Sequence, residues 1–147
     1  MSGMRRMWIV PLALLLLGAH LNLSGLVPLQ AGEAPPPWWV GGRLIWPFAE
    51  ETNTLVSHET LNAFTPMLSI ASALCFLLAA AALLRWRVPE KWFTWLIVAG
   101  SALSIVLQVG WFSVWAILPL LVDAALLWAV VRRNVSVTRL RSGDGLS

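Results

Sequence analysis

One carboxylate stands apart from the other charged residues of this sequence. Asp123 lies near the middle of Trp111 to Val131, WFSVWAILPLLVDAALLWAVV, an apolar run closed by Arg132 and Arg133. A charge at the centre of a bilayer costs about 2.5–3.5 kcal/mol on insertion scales, so it turns toward protein and a partner, not toward lipid. The other apolar runs hold the polar side chains that can meet it: His20, Ser72, Ser101, Ser104 and Gln108. Three uses fit such a set. Interhelical hydrogen bonds can fix the register of a bundle, at about 0.6 kcal/mol each. Carboxylates and histidines inside membranes also form proton or ion relays. The third use is a catalytic or cofactor-ligating centre. The first of these is the leading reading.

The elements that must position these residues are apolar spans. Of the 147 residues, 59% are hydrophobic and 12% charged, against about a quarter charged in a soluble domain. The pattern predicts an all-α integral membrane protein, a four-transmembrane-helix bundle with a long first extracytoplasmic loop. Residues 1–6 form a cytoplasmic N-terminus, 7–27 the first span, 28–64 the outer loop and 65–84 the second span. A basic cytoplasmic link, 85–91, leads to the third span, 92–109. After a short outer turn, 110–113, come the fourth span, 114–131, and a basic cytoplasmic tail, 132–147, with too few apolar residues to fold alone. The first run follows Arg5 and Arg6, as in a signal peptide, but exceeds the roughly 7–15 residues of a signal h-region, so an uncleaved anchor is expected. Pro66 falls in the first turn of the predicted second span, where a missing N–H costs little. Asn53 or Ser57 can cap a short helix leading into that span.

Orientation follows from the basic residues. Arg5, Arg6, Arg85, Arg87, Lys91, Arg132, Arg133, Arg139 and Arg141 share one side of a four-span arrangement, leaving Arg43 alone of the ten Lys and Arg on the other. The positive-inside rule then places both termini in the cytoplasm of a cell (plasma or inner) membrane. Neither Asn134-Val135-Ser136 nor Asn22-Leu23-Ser24 becomes a usable glycosylation site. In an up-down-up-down bundle the first and fourth helices are neighbours. A rise of about 1.5 Å per residue puts Asp123 and Ser101 at the midplane, Ser72 slightly outward, and His20 roughly 4–5 Å outward. His20 and Asp123 are therefore expected at similar levels.

Other residue sets carry less. Glu50, Glu51, His58 and Glu59 offer oxygens and a nitrogen but lack the ligand spacing of a known metal site, and read as a solvated acidic loop. His20 and His58 permit haem ligation in principle, with nothing else to support it. Trp8, Trp38, Trp39, Trp86, Trp92, Trp111 and Trp128 fall where span ends are expected and suit interface anchoring; Trp95 and Trp115 lie further in. Gly100 with Ser104, and Ser69 with Ala73, let helix backbones approach within the bundle. Cys75, the single cysteine, excludes an internal disulfide and dithiol chemistry, and reads as a small core residue.

The size and span count are similar to those of four-helix quinone-linked thiol oxidoreductases, whose cysteine pairs are missing here. The layout of one span, a long outer loop and three close spans also resembles small bacterial membrane proteins such as the DoxX-like group, in topology alone. No phosphate-cradling glycine loop, zincin motif or G-x-S-x-G elbow occurs. No catalytic, cofactor-binding or metal residue is assigned, and no cofactor is expected. The net charge of +3 sits beside spans and points to topology, not to nucleic acid. The expected partners are the lipid bilayer and another membrane protein or a second copy. The leading expectation is a non-enzymatic accessory or structural subunit acting through intramembrane contacts. An oligomeric small-molecule or proton-linked transporter using Asp123 is the alternative, and an enzyme acting on lipid is third.

Overall fold

The computed structural model describes residues 8–26, 53–54, 57–112, 116–132 and 135–142. They are mostly helical. Helix α1 spans Ile9–Leu23, α2 His58–Leu83, α3 Phe93–Gly110, α4 Ile117–Leu127 and α5 Val137–Ser142. Among the described residues two stretches are long and apolar enough to cross a membrane, Glu59–Leu83 and Glu90–Gly110, while Ile9–Leu23 is apolar but shorter.

Local chemistry explains the helix ends. α1 stops where polar side chains turn back on the backbone: Asn22 Nδ2 donates to the Gly18 carbonyl at 2.8 Å and Ser24 Oγ to the Leu21 carbonyl, bonds that compete with helix continuation. α2 starts at Ser57, whose Oγ accepts from the Thr60 N–H at 3.4 Å, an N-cap that satisfies one orphan donor. The capped segment runs without a break into the apolar run. Pro66 is therefore inside α2 and not in its first turn, because the polar residues before it join the same helix. At its other end α2 closes with Arg85 N–H on the Ala82 carbonyl and Trp86 N–H on the Ala81 carbonyl, the paired bonds of a Schellman motif. Arg85 takes the left-handed position usually given to glycine, at φ 60°, and Arg87 follows at φ 56°.

The helices run up and down. Ser72 Oγ donates to the Gly100 carbonyl at 2.8 Å and Trp111 Nε1 to Thr65 Oγ1 at 2.7 Å, so α2 and α3 are antiparallel. Gly18 and Gly100 both face Phe76, and one turn on Asn22 bonds Ser104 at 3.1 Å, so α1 and α3 run the same way. Each of α1 and α3 packs against both α2 and α4. A two-residue antiparallel ladder, β1 (Asn53–Thr54) with β2 (Trp111–Phe112), ties the start of α2 to the end of α3. This end is the strand end, and the one holding Arg85 to Trp92 is the link end.

The tail packs against the bundle. α4 ends in a wide π turn, Trp128–Arg132, and Val135 N–H bonds back to the Ala129 carbonyl at 3.1 Å. α5 then folds onto the bundle, burying Val135, Val137 and Leu140 in the main apolar cluster with Phe76, Leu83 and Phe93. Thr138 Oγ1 donates to Glu90 Oε2 at 3.4 Å, and Glu90 also pairs with Arg85. The tail is too polar to fold alone, but its apolar residues suffice when the bundle supplies the rest of the core.

Candidate functional site

The buried polar side chains gather at one level. The ring of Phe76 is clamped between α1 and α3, with a Cβ at Gly18 lying 3.3 Å from it and one at Gly100 3.1 Å. From this level to the link end, the buried side chains of the described residues are apolar, among them Leu15, Ala79, Leu83, Phe93, Ile97, Leu126 and Val130. From the same level toward the strand end lie Asn22, Ser24, Thr65, Ser69, Ser72, Ser101, Ser104, Gln108 and Asp123, all buried. Leu107 and Trp111, backed by Leu61 and Leu68, form a small second apolar cluster beside Gln108 and Thr65. The buried polar side chains thus form a layer between the main apolar cluster and the strand end.

Helical spacing builds the layer. Ser101, Ser104 and Gln108 follow one another at three and four residues, which places them on one face of α3. Thr65, Ser69 and Ser72 do the same on α2. In α4 a side chain leans toward the helix N-terminus, which is at the strand end, so Asp123 leans toward that end of the layer. Its carboxyl lies against the hydroxyls of Ser101 and Ser104, and Ser104 Oγ also accepts from Asn22.

Hydrogen bonding there is incomplete. Asn22 Oδ1, Ser69 Oγ, Ser101 Oγ, Asp123 Oδ2 and both amide atoms of Gln108 are buried with no partner among the described residues. Leaving such a group unmet costs about 1–3 kcal/mol, more for a charged one, and each case in a folded protein calls for a water, an ion or a function.

Of the residues singled out from sequence, Ser101, Ser104 and Asp123 are brought together, with Gln108 one turn further along α3. Ser72 turns to the Gly100 backbone. His20 does not join them. It is two residues, about 200° around α1, from Asn22, and it is only half-buried, with no hydrogen bond or ion pair among the described residues. Asn22 takes the place expected of His20, a residue read from sequence only as half of a glycosylation triplet. The bond between Thr65 and Trp111, the polar tie at the strand end, is not legible in the sequence. Their signal was weak: a threonine at a predicted span boundary and a tryptophan already explained as an interface anchor.

Gly100 with Ser104, and Ser69 with Ala73, are buried within the bundle. Among the described residues no group of three His, Cys, Asp or Glu can hold a metal ion. Glu50, Glu51 and the side chain of His58 lie outside the described residues, as do Trp38, Trp39 and Trp115. Compared with known proteins, the chain matches no family model, no curated protein and no solved structure.

Proposed function

We propose that the chain is a small multi-pass protein of the cell membrane, with four spans, a long first extracytoplasmic loop and both termini cytoplasmic. In this reading it is an accessory subunit that works through contacts inside the bilayer, without enzymatic chemistry. The distribution of polarity supports it. Val10, Met67, Trp95, Leu121 and Val131 point outward at 61–76% exposure, while Asp123, Gln108 and Asn22 are buried at 0–1%. Water drives the opposite arrangement. A hydrocarbon surrounding favours this one, with apolar side chains facing lipid and polar groups turned to one another.

The observation that carries the choice of role is the unbroken apolar half between Phe76 and the link end, closed further by α5. A route for a polar solute or an ion needs polar or hydrated walls on both sides of its binding site, and here they exist on one side. The second reading, an oligomeric carrier built around Asp123, draws on the unpartnered atoms of the polar layer.

Purification of the tagged chain from its own membranes in mild detergent, with the mass of the intact complex determined, tests the proposal. A different membrane protein in fixed ratio is the expected result. A chain found alone or only with itself overturns the accessory role. If liposomes holding such a chain then show solute uptake that Asp123→Asn abolishes, the carrier reading takes its place.

A further inference from the structure

The polar layer has acceptors without a matching positive charge. Asp123 is 1% exposed, and the groups facing it from the packed helices are neutral: the hydroxyls of Ser101 and Ser104 from α3, with Asn22 of α1 bonded to Ser104. Among the described residues no Lys, Arg or His pairs with it; the ion pair present is Arg85 with Glu90, at the link end. A buried carboxyl either holds a proton or requires a partner of opposite sign. Three oxygens of this layer, Asp123 Oδ2, Asn22 Oδ1 and Gln108 Oε1, have no hydrogen-bond partner among the described residues, and Ser101 Oγ lies against the Asp123 carboxyl. Asn22, Ser101, Ser104 and Asp123 adjoin through these contacts, and Gln108 lies one turn of α3, about 5–6 Å between Cβ atoms, from Ser104.

We propose that this layer is a binding site for an alkali-metal cation that enters from the strand end. Asp123 supplies the negative charge, while Asn22, Ser101, Ser104 and Gln108 supply neutral oxygens. Each competing occupant leaves something unmet. A water molecule brings no charge to the carboxylate. A proton on Asp123 satisfies one neighbouring oxygen and leaves the others bare. A divalent ion such as calcium draws on several carboxylates in most sites, and this layer holds one. A single carboxylate with several neutral oxygens matches a hard monovalent cation, which takes oxygen ligands and loses its hydration shell to them. The Gln108 Nε2, a donor, is then free to turn to the carboxylate. Access is one-sided, because Asn22 lies in the last turn of α1 and Ser24 just past its end, whereas the apolar half closes the other direction. The cation is accordingly a bound component that completes the core and is not cargo in transit. The site stands whether or not the chain has a protein partner.

The test uses the full chain in detergent, exchanged into choline chloride. Lithium, sodium and potassium chlorides are then added in turn at constant ionic strength and pH. Binding of isotope-labelled sodium and thermal unfolding are both measured. The expected result is saturable binding of at least one alkali cation, with a Tm that climbs with the logarithm of its concentration as ligand linkage requires. Asp123→Asn and Gln108→Leu should lose both effects while eluting as the wild type does. Wild-type protein that binds none of the three saturably overturns the proposal, and so does a Tm that follows pH alone and is equal in all salts. Should Asp123→Asn fail to accumulate, Gln108→Leu decides: cation binding equal to wild type in that variant removes Gln108 and the proposed ligand set with it.

Discussion

Substituting Gly100 by alanine tests how closely the bundle is fitted at the level that divides its two halves. The added Cβ would lie 3.0 Å from Cys75 Cβ and 3.1 and 3.2 Å from two atoms of the Phe76 ring. Carbon atoms prefer about 3.5–4.0 Å, so all three contacts are short. The two kinds of neighbour yield differently. A phenyl ring can pivot, but Cys75 Cβ is fixed to the backbone of α2 and moves only if the helix moves. Gly18 supplies the control. A Cβ there meets the same ring at 3.3 Å and Val122 Cγ1 at 3.5 Å, both on side chains that can give.

Overpacking a fitted core costs about 1–3 kcal/mol. Gly100→Ala should fall in the upper part of that range, and Gly18→Ala near or below its lower end. Phe76→Leu is expected to recover part of the Gly100→Ala loss, but not the part due to Cys75. Reversible unfolding in mixed micelles with increasing SDS, followed by tryptophan fluorescence, gives the four stabilities needed for a double-mutant cycle. A Gly18→Ala cost equal to or larger than that of Gly100→Ala, or no coupling between positions 76 and 100, refutes the fitted-ring account.

Three further outcomes follow from single contacts. Arg87 sits at φ 56°, a region costing an L-residue about 1–2 kcal/mol; Arg87→Gly should therefore stabilise the protein by up to about 1 kcal/mol, the remainder being lost to glycine's unfolded-state entropy, as read from Tm. Asn22→Ala removes the donor to Gly18 and Ser104 and should destabilise by about 1 kcal/mol, near the usual net worth of a hydrogen bond; an unchanged SDS midpoint would contradict its place in the layer. Val137→Asp puts a carboxylate at a position 1% exposed and should release α5, seen as faster tryptic cleavage at Arg139 and Arg141 with the helical content of the remainder unchanged.

How much of this was legible in the sequence depends on the kind of signal. Helical character was, because long apolar runs with helix-compatible residues leave few alternatives. The three-and-four spacing of Ser101, Ser104 and Gln108 also stands in the sequence as one face of a helix. Facing between helices does not. His20 and Asn22 are two residues apart, and sequence offers no means of telling which one turns inward; ionisable character favoured His20, while the rotation of α1 about its axis brings Asn22 to the layer. Pro66 misled because a proline before an apolar run resembles a first turn, and the Ser57 cap that begins the helix earlier is a weak signal. The docking of α5 was hidden for a similar reason. Val135, Val137 and Leu140 look sparse in a basic tail, and their value depends on an apolar surface that the bundle presents only once folded.

The division at Phe76 implies that the two halves of the bundle open at different free energies. Between Phe76 and the link end the contacts are apolar and continuous, and α5 is packed over them. Toward the strand end the core holds several polar groups without partners among the described residues, and the apolar cluster beside them is small. Regions with few buried apolar contacts open first. Amide hydrogen exchange of the full chain in alkali-free detergent solution should therefore be fast for the last turns of α1 and for Ser104 to Gly110, and slow for Phe93 to Gly100 and Phe76 to Leu83. Both ends of α3 lie in one continuous helix, so the contrast within it separates packing from helix propensity. Adding the cation that binds should slow exchange in the strand half and leave the link half as it was. Equal protection along α3, or faster exchange at its link end, means that the unpartnered atoms do not weaken the strand half, and the link between polar burial and local opening fails.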